Sequence, residues 1–226
     1  MRGLFVTATD TGVGKTVVSA CLLAAMRAAG EPVRAYKPVI TGLEEPQDTA
    51  PWPLDHVLLG EVAGMRPEEV SPVRYGPAVA PHLAAQLAGR RIDVDALLAT
   101  GRRLAEGHTL VVEGVGGLLV PLSMDFSVCD LAAALGLGLI VVARTTLGTI
   151  NHTLLTLGAA RAAGLEVRAV VMSRWPERPT LLERSNREAI EGLGRVEVAT
   201  LEALATPDPD GLARAGAQLP WQQWLA

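Results

Sequence analysis

An apolar run, Leu4-Phe5-Val6, leads into Thr7-Ala8-Thr9-Asp10-Thr11-Gly12-Val13-Gly14-Lys15-Thr16, and a helical pattern follows from Val17 to Ala29. No other stretch restricts the fold so strongly, because a strand, a tight loop ending in Gly-Lys-Thr and a helix together enclose nucleotide phosphates. The backbone N–H groups of Gly12, Val13, Gly14 and Val17 lie where such a loop and the N-terminus of its helix would surround an anion. Lys15 would add a point charge, and the Thr16 hydroxyl would hold Mg²⁺. The loop departs from G-x-x-x-x-G-K-[ST] at its first glycine, whose place is taken by Thr9.

With 226 residues, 49% of them hydrophobic, the chain can bury one substantial core, and residues 1–226 read as a single domain. A net charge of −4 without any basic run argues against a nucleic-acid surface, which needs clustered Lys and Arg. The two cysteines, Cys21 and Cys129, form no CxxC pair, so neither a disulfide framework nor a thiolate metal site is indicated. No apolar run reaches membrane-spanning length, and Met1 to Leu4 leave no room for a signal peptide, so a soluble protein of the reducing cytoplasm is expected. Of twenty cationic residues only Lys15 and Lys37 are lysines. Under such an arginine bias a retained lysine marks a place where a compact ammonium is needed and a planar guanidinium does not fit.

Val18, Leu22, Ala25 and Ala29 recur at helical spacing, and Gly30 with Pro32 stops that helix. Val33 to Lys37 reads as a short strand closed by Pro38. Lys37 therefore sits at a strand's C-terminal end, where open α/β sheets bind ligands. Residues 38–53 read as a long loop carrying Glu44, Glu45 and Asp48. Asp55 stands before Val57-Leu58-Leu59 at the place of a helix N-cap; capping and metal binding both account for it, and Asp48 is an alternative ligand from the same region. A short apolar helix begins at Pro81-His82, and Val94 to Glu106 is helical.

The buried strand Thr109 to Val112 ends at Glu113, followed by Gly114-Val115-Gly116-Gly117. A carboxylate at a strand end, beside glycines that admit a close ligand, suits a metal or water contact. Leu139 to Ala143 and Val167 to Met172 are further strands, and Val196 to Leu201 a last one. Between them, Thr145 to His152 lead into a helix whose first N–H groups could hold a carboxylate or phosphate, although ordinary capping also explains Asn151. Val128 to Leu135 and Thr180 to Leu193 are helical; Thr206 to Gly211 read as turns, and Leu219 to Leu225 as a terminal helical turn. Strands alternating with helices predict an α/β fold of the P-loop NTPase type, with a mostly parallel twisted sheet of about seven strands and helices on both faces.

Five segments taken in order resemble the dethiobiotin synthetase family: Thr9 to Thr16, Tyr36-Lys37-Pro38-Val39 with Thr41-Gly42, Ala80 to Ala85, Val112 to Gly117, and Thr146 to His152. Their spacing matches from residue 4 to about 157. The resemblance implies a step of biotin biosynthesis in which CO₂ or bicarbonate is joined to 7,8-diaminopelargonate and a cyclic urea is closed, with ATP and Mg²⁺. It places Lys37 on both the carbamate and the γ-phosphate, beside Lys15. Thr16, Asp55 and Glu113 are then the metal ligands, Gly114, Val115, Gly116 and Ser173 further nucleotide contacts, and Thr11 and Thr41 substrate contacts. It also implies a homodimer in which Gly148 and Asn151 of one subunit receive the carboxylate of substrate held by the other.

Three positions depart from the pattern. Ala8 stands where many relatives have Gly, Gly12 where some have Glu, and Ser173-Arg174 where relatives often place Asn-Asp. The last change removes a side-chain amide able both to donate to and accept from a nucleobase. The rival from another class is a ParA/MinD-like ATPase switch, but such proteins carry an extra lysine early in the loop, where this chain has Thr9-Asp10-Thr11, and no basic amphipathic tail is present. The ATP-binding domain of a cobyrinate amidase would need a glutamine-hydrolysing partner domain, and neither cysteine has a nucleophile's setting.

Overall fold

The computed structural model describes residues 1–45 and 51–226, so Asp48 lies outside the described residues. In chain order the elements are β1 (Gly3–Ala8), α1 (Lys15–Ala28), β2 (Val33–Tyr36), β3 (Val39–Ile40), α2 (Asp55–Ala63), α3 (Pro67–Val70), β4 (Val73–Arg74), α4 (Pro81–Leu87) and α5 (Val94–Ala105). There follow β5 (Thr109–Glu113), α6 (Val128–Leu135), β6 (Gly138–Ala143), α7 (Thr149–Ala162), β7 (Val167–Trp175), α8 (Leu181–Gly194), β8 (Val198–Glu202), α9 (Pro209–Gly216) and α10 (Trp221–Trp224).

Six strands pair in the order β2-β5-β1-β6-β7-β8, and every pairing is parallel. A parallel sheet must be covered on both faces, which is why its strands read as continuous apolar runs. Along β1 the alternation divides the core: Leu4, Val6 and Ala8 join one cluster with α1, α2 and the C-terminal helices, while Phe5 joins the other with α5, α6, α7 and α8. The chain leaves β1 toward β2 and β5 on one side and continues through β6, β7 and β8 on the other. That reversal opens a crevice beyond the carboxyl ends of the central strands, the usual ligand site of such sheets. The register Val6↔Glu113 sets Glu113 level with the end of β1, just where the loop before α1 begins.

The main sheet has six strands where about seven were expected. Two more strands, β3 and β4, form a separate parallel pair, Val39↔Val73 and Ile40↔Arg74. Each is two residues long, too short to show the alternation that betrays a strand, and each follows a proline. A second difference is at the C-terminus. The turn-like stretch Thr206 to Gly211 is the start of α9: Asp208 caps it by accepting the Gly211 N–H at 2.7 Å, and Pro209 occupies the first helical position. Turn signals and helix-start signals use the same residues, Pro, Asp and Gly, and here the helix start prevails. Third, Asp55 does not cap its own helix. Leu54 holds that position, and Asp55 is the first helical residue, its side chain turned to Lys37.

Cys21 lies inside α1 at the interface with α9, and Cys129 in the first turn of α6; both are buried and free. Burial pushes the Cys21 thiol up to about 12, and burial together with Asp130 raises that of Cys129. Because the thiolate is the reacting form, a disulfide-exchange reagent at pH 8 is expected to leave both untouched in the folded protein and to titrate both in urea. Prompt reaction of either thiol without denaturant would contradict this packing. Among the described residues no helix is long and apolar enough to cross a membrane.

Candidate active site

The crevice is a cavity of about 890 Å³. The loop before α1 supplies Thr11, Gly12, Gly14, Lys15, Thr16 and Val17; the segment after β2 supplies Lys37, Thr41 and Gly42; α2 brings Asp55; and the end of β5 brings Glu113, Val115 and Gly116. Its far wall is Ser173, Arg174 and Leu201 to Leu204, at the ends of β7 and β8.

Gly14 explains how the loop turns. At φ +100 it takes a conformation that L side chains rarely adopt, and it is the N-cap of α1 with no side chain bonded to the free N–H groups of the first turn. Those donors are thereby left for a ligand. A Cβ at Gly14 would also lie 2.8 Å from the Ser173 Oγ. Gly14→Ala combines a backbone cost of about 1–2 kcal/mol with that close contact. Nucleotide affinity, followed by titration of a fluorescent triphosphate analogue, is expected to fall at least about tenfold. Adding Ser173→Gly should restore only part of it, since the backbone cost remains.

Beyond Gly14 lies a buried charge cluster. The Lys37 ammonium, only 4% exposed, donates to Asp55 Oδ2 and, at 2.6 Å, to Glu113 Oε1. Thr16 Oγ1 donates to the same Glu113 oxygen at 2.9 Å. Burial alone would push the Lys37 pKa down, but the charges and hydrogen bonds of Glu113 and Asp55 outweigh it, so the ammonium is held above its ordinary value. Burial would raise the Asp55 carboxyl, and the Lys37 charge and hydrogen bond, with that of Thr16, bring it below the usual range instead. Lys15 has no such pair of partners. Among the described residues its one hydrogen bond reaches the Asp10 carbonyl at 3.4 Å, and burial, aided by the Lys37 charge, lowers its pKa. An ammonium buried with a single long contact is ready for an anionic ligand.

Lys15, Thr16, Lys37, Asp55 and Glu113, anticipated from four separate places in the sequence, thus meet in one cluster, and Thr11, Thr41, Gly12, Val17, Val115 and Gly116 line the same cavity. Val13 borders a smaller neighbouring cavity of about 260 Å³. Gly114 is packed instead of lining: its N–H bonds Val6, and a Cβ there would lie 2.9 Å from the Val128 side chain. Ser173 reaches the cavity wall, but its hydroxyl is given to the Val13 carbonyl, so it braces the phosphate loop from behind. Gly148 and Asn151 are not among the lining residues. They are exposed at the start of α7, where Gly148, at φ 90, is an N-cap without a side-chain hydrogen bond. Sequence reasoning set Arg174 at the nucleobase position but missed the wall formed by Leu201 to Leu204. Its signal was available, because the carboxyl end of every strand beside the switch point is a candidate position.

A family model described as an AAA domain matches residues 2–205. The ATP-dependent dethiobiotin synthetase BioD of Anaeromyxobacter sp. (strain Fw109-5) is 46% identical over 77% of this chain and 77% of its own. That of Bacillus subtilis (strain 168) is 36% identical over 88% of this chain and 85% of its own. Among solved structures, the cell division ATPase MinD of Pyrococcus furiosus superposes with a TM-score of 0.54 at 17% identity, covering 96% of each chain. The MinC:MinD complex of Aquifex aeolicus gives 0.56 at 13%, covering 95% of this chain and 86% of that one. At such identities these two likenesses concern the fold alone, a parallel sheet with helices on both faces. The sequence matches go further: the chain belongs to the ATP-dependent dethiobiotin synthetase family.

Proposed function

We propose that the protein joins CO₂ to 7,8-diaminopelargonate at the expense of ATP and closes the ring to dethiobiotin. The observation that carries this reading is the Lys37 ammonium, buried between Asp55 and Glu113 at the phosphate end of a cavity roomy enough for two ligands. One amine of the substrate adds to CO₂ and loses a proton to give a carbamate. A carbamate oxygen attacks the γ-phosphorus and ADP leaves, and the second amine then attacks the carbonyl carbon and expels phosphate. The middle step needs negative charge neutralised more than it needs a base. Lys15 approaches the triphosphate from the loop, while Lys37 faces both the carbamate and the γ-phosphate. Thr11 and Thr41, on the cavity wall, orient the substrate.

Thr16, Asp55 and Glu113 fit a hard divalent cation. All three offer oxygen, the Thr16 hydroxyl already lies within hydrogen-bond distance of Glu113, and Glu113 Oε2 is buried without a partner. They would hold Mg²⁺, which when bound neutralises triphosphate charge. Gly148 and Asn151 do not line the cavity of their own subunit, and in this reading they receive the carboxylate of substrate held by the partner in a homodimer. Leu147 and Leu155, 82% and 65% exposed on and beside α7, supply apolar surface for such an interface.

The purified protein is expected to consume ATP only when diaminopelargonate and bicarbonate are both supplied, and to stop when the divalent cation is chelated. Release of phosphate that ignores the diamine but responds to DNA or lipid vesicles would favour the nucleotide-switch reading instead. The absence of a lysine at Thr9 to Thr11 stands against that alternative.

A further inference from the structure

Outside the charge cluster, one ion pair joins two parts of the molecule that the chemistry uses separately. Arg144 follows β6 and opens the turn that leads into α7; its Nη2 lies 2.5 Å from Asp10 Oδ2, in the phosphate loop. Each end of this pair is tied into a different site. On the loop side, Asp10 Oδ1 accepts the Thr11 N–H at 2.7 Å, and the Asp10 carbonyl accepts from the Lys15 ammonium. On the turn side, the Arg144 carbonyl accepts from Thr149 Oγ1 at 2.7 Å, and Thr149 is the fully buried first residue of α7. The next carbonyl, that of Thr145, accepts from Asn186 Nδ2 at 2.9 Å, which anchors the turn to α8.

A continuous chain of contacts therefore runs from Lys15 through Asp10 and Arg144 to Thr149 at the head of α7, beside Gly148 and two residues before Asn151. The smaller cavity, of about 260 Å³, borders Arg144 and is lined from the loop side by Thr11 and Gly12 and from the turn side by Thr146. The Arg144 Nε is buried without a partner, which leaves the guanidinium a second donor to exchange.

We propose that Asp10 and Arg144 are positioning residues that couple the phosphate loop of one subunit to the α7 turn that receives the carboxylate of its partner's substrate. The proposal rests on the reading of Gly148 and Asn151 given above. Nucleotide bound in one subunit then favours diamine bound across the interface, and by linkage the diamine favours nucleotide to the same degree. The pair is part-exposed, at 38% and 51% of its side chains, so the coupling belongs at the low end of the usual range, about fivefold.

Calorimetric titration of the full-length protein with diaminopelargonate, with and without a non-hydrolysable ATP analogue, tests this. The unaltered protein should bind the diamine about fivefold more tightly with the analogue present. In Arg144→Gln and in Asp10→Asn that ratio should fall to near one, while the melting temperature stays close to that of the unaltered protein and Arg144→Lys recovers part of it. No ratio in the unaltered protein, or a full ratio in Arg144→Gln, overturns the coupling. Should Arg144→Gln destabilise the fold, Asp10→Asn alone carries the comparison. Asn151→Ala separates the two claims: unchanged diamine affinity there refutes the carboxylate turn, whereas weakened affinity beside an intact ratio in Arg144→Gln refutes only the coupling.

Discussion

Lys37→Arg is expected to lower turnover by about 10²–10³-fold, the cost of losing one preorganised electrostatic contact to the reacting group, while the melting temperature changes little. The charge survives this substitution, and the geometry does not. Lys37 places a compact ammonium between Asp55 and Glu113 Oε1, the latter at 2.6 Å, in a space where it is 4% exposed. A guanidinium is broad and planar, donates in a fixed fork and cannot present one point charge to a carbamate and a phosphate together. Lys37→Gln should differ in kind. Glu113 is 1% exposed and would lose its cationic partner, and breaking a buried pair in this way costs about 3–5 kcal/mol. Steady-state kinetics and thermal melts on both variants separate the two effects. Near-normal turnover in Lys37→Arg would remove this residue from the mechanism.

Gly216→Val should be strongly damaging although it lies outside the cavity. In the close packing of α9 on α1, a Cβ at Gly216 would lie 1.9 Å from the Cys21 carbonyl oxygen and 2.9 Å from the Ala25 side chain. The nearest obstacle is backbone, which cannot rotate away, so the two helices must separate. Overpacking of a core usually costs about 1–3 kcal/mol, and a backbone obstacle places this case at about 3 or above. For a chain of this size that lowers the melting temperature by about 6–12 °C. Because α1 carries Lys15 and Thr16 at its start, nucleotide affinity should fall as well. Gly192→Ala is the matched control: nothing lies within 4 Å of a Cβ there, inside α8, so the change should be neutral or slightly stabilising. Equal melting temperatures for the two variants would refute the packing argument.

Much of the candidate site was readable before any coordinates because its residues sit at punctuation marks. Lys37 follows a strand directly and Glu113 ends one, Thr16 lies in the first turn of a helix, and both lysines survive in a chain that otherwise uses arginine. The central strands β1, β5 and β6 were readable for a related reason, since burial on both faces forces continuous apolar runs. What stayed hidden was set by partners far away in sequence. β3 and β4 exist through their pairing, not through any pattern of their own. The helix α9 was concealed because Pro207, Asp208, Pro209 and Gly211 serve a turn and a helix start equally well. The hydroxyl of Ser173 could not be assigned to the Val13 carbonyl, 160 residues away, without the fold. Nor could Arg144 be joined to Asp10, since charge alone does not select one partner among 24 acidic residues.

The two buried lysines have a practical consequence. All other side-chain cations of the protein are arginines, so its outer surface presents no lysine at all. An amine-reactive ester meets the chain's amino terminus and, beyond it, only Lys15 and Lys37, both inside the cavity. Lys37 is held as an ammonium between its carboxylates, so modification of Lys15, counted by mass spectrometry, would report whether the cavity is filled, without the background of surface lysines that obscures such labelling in most proteins.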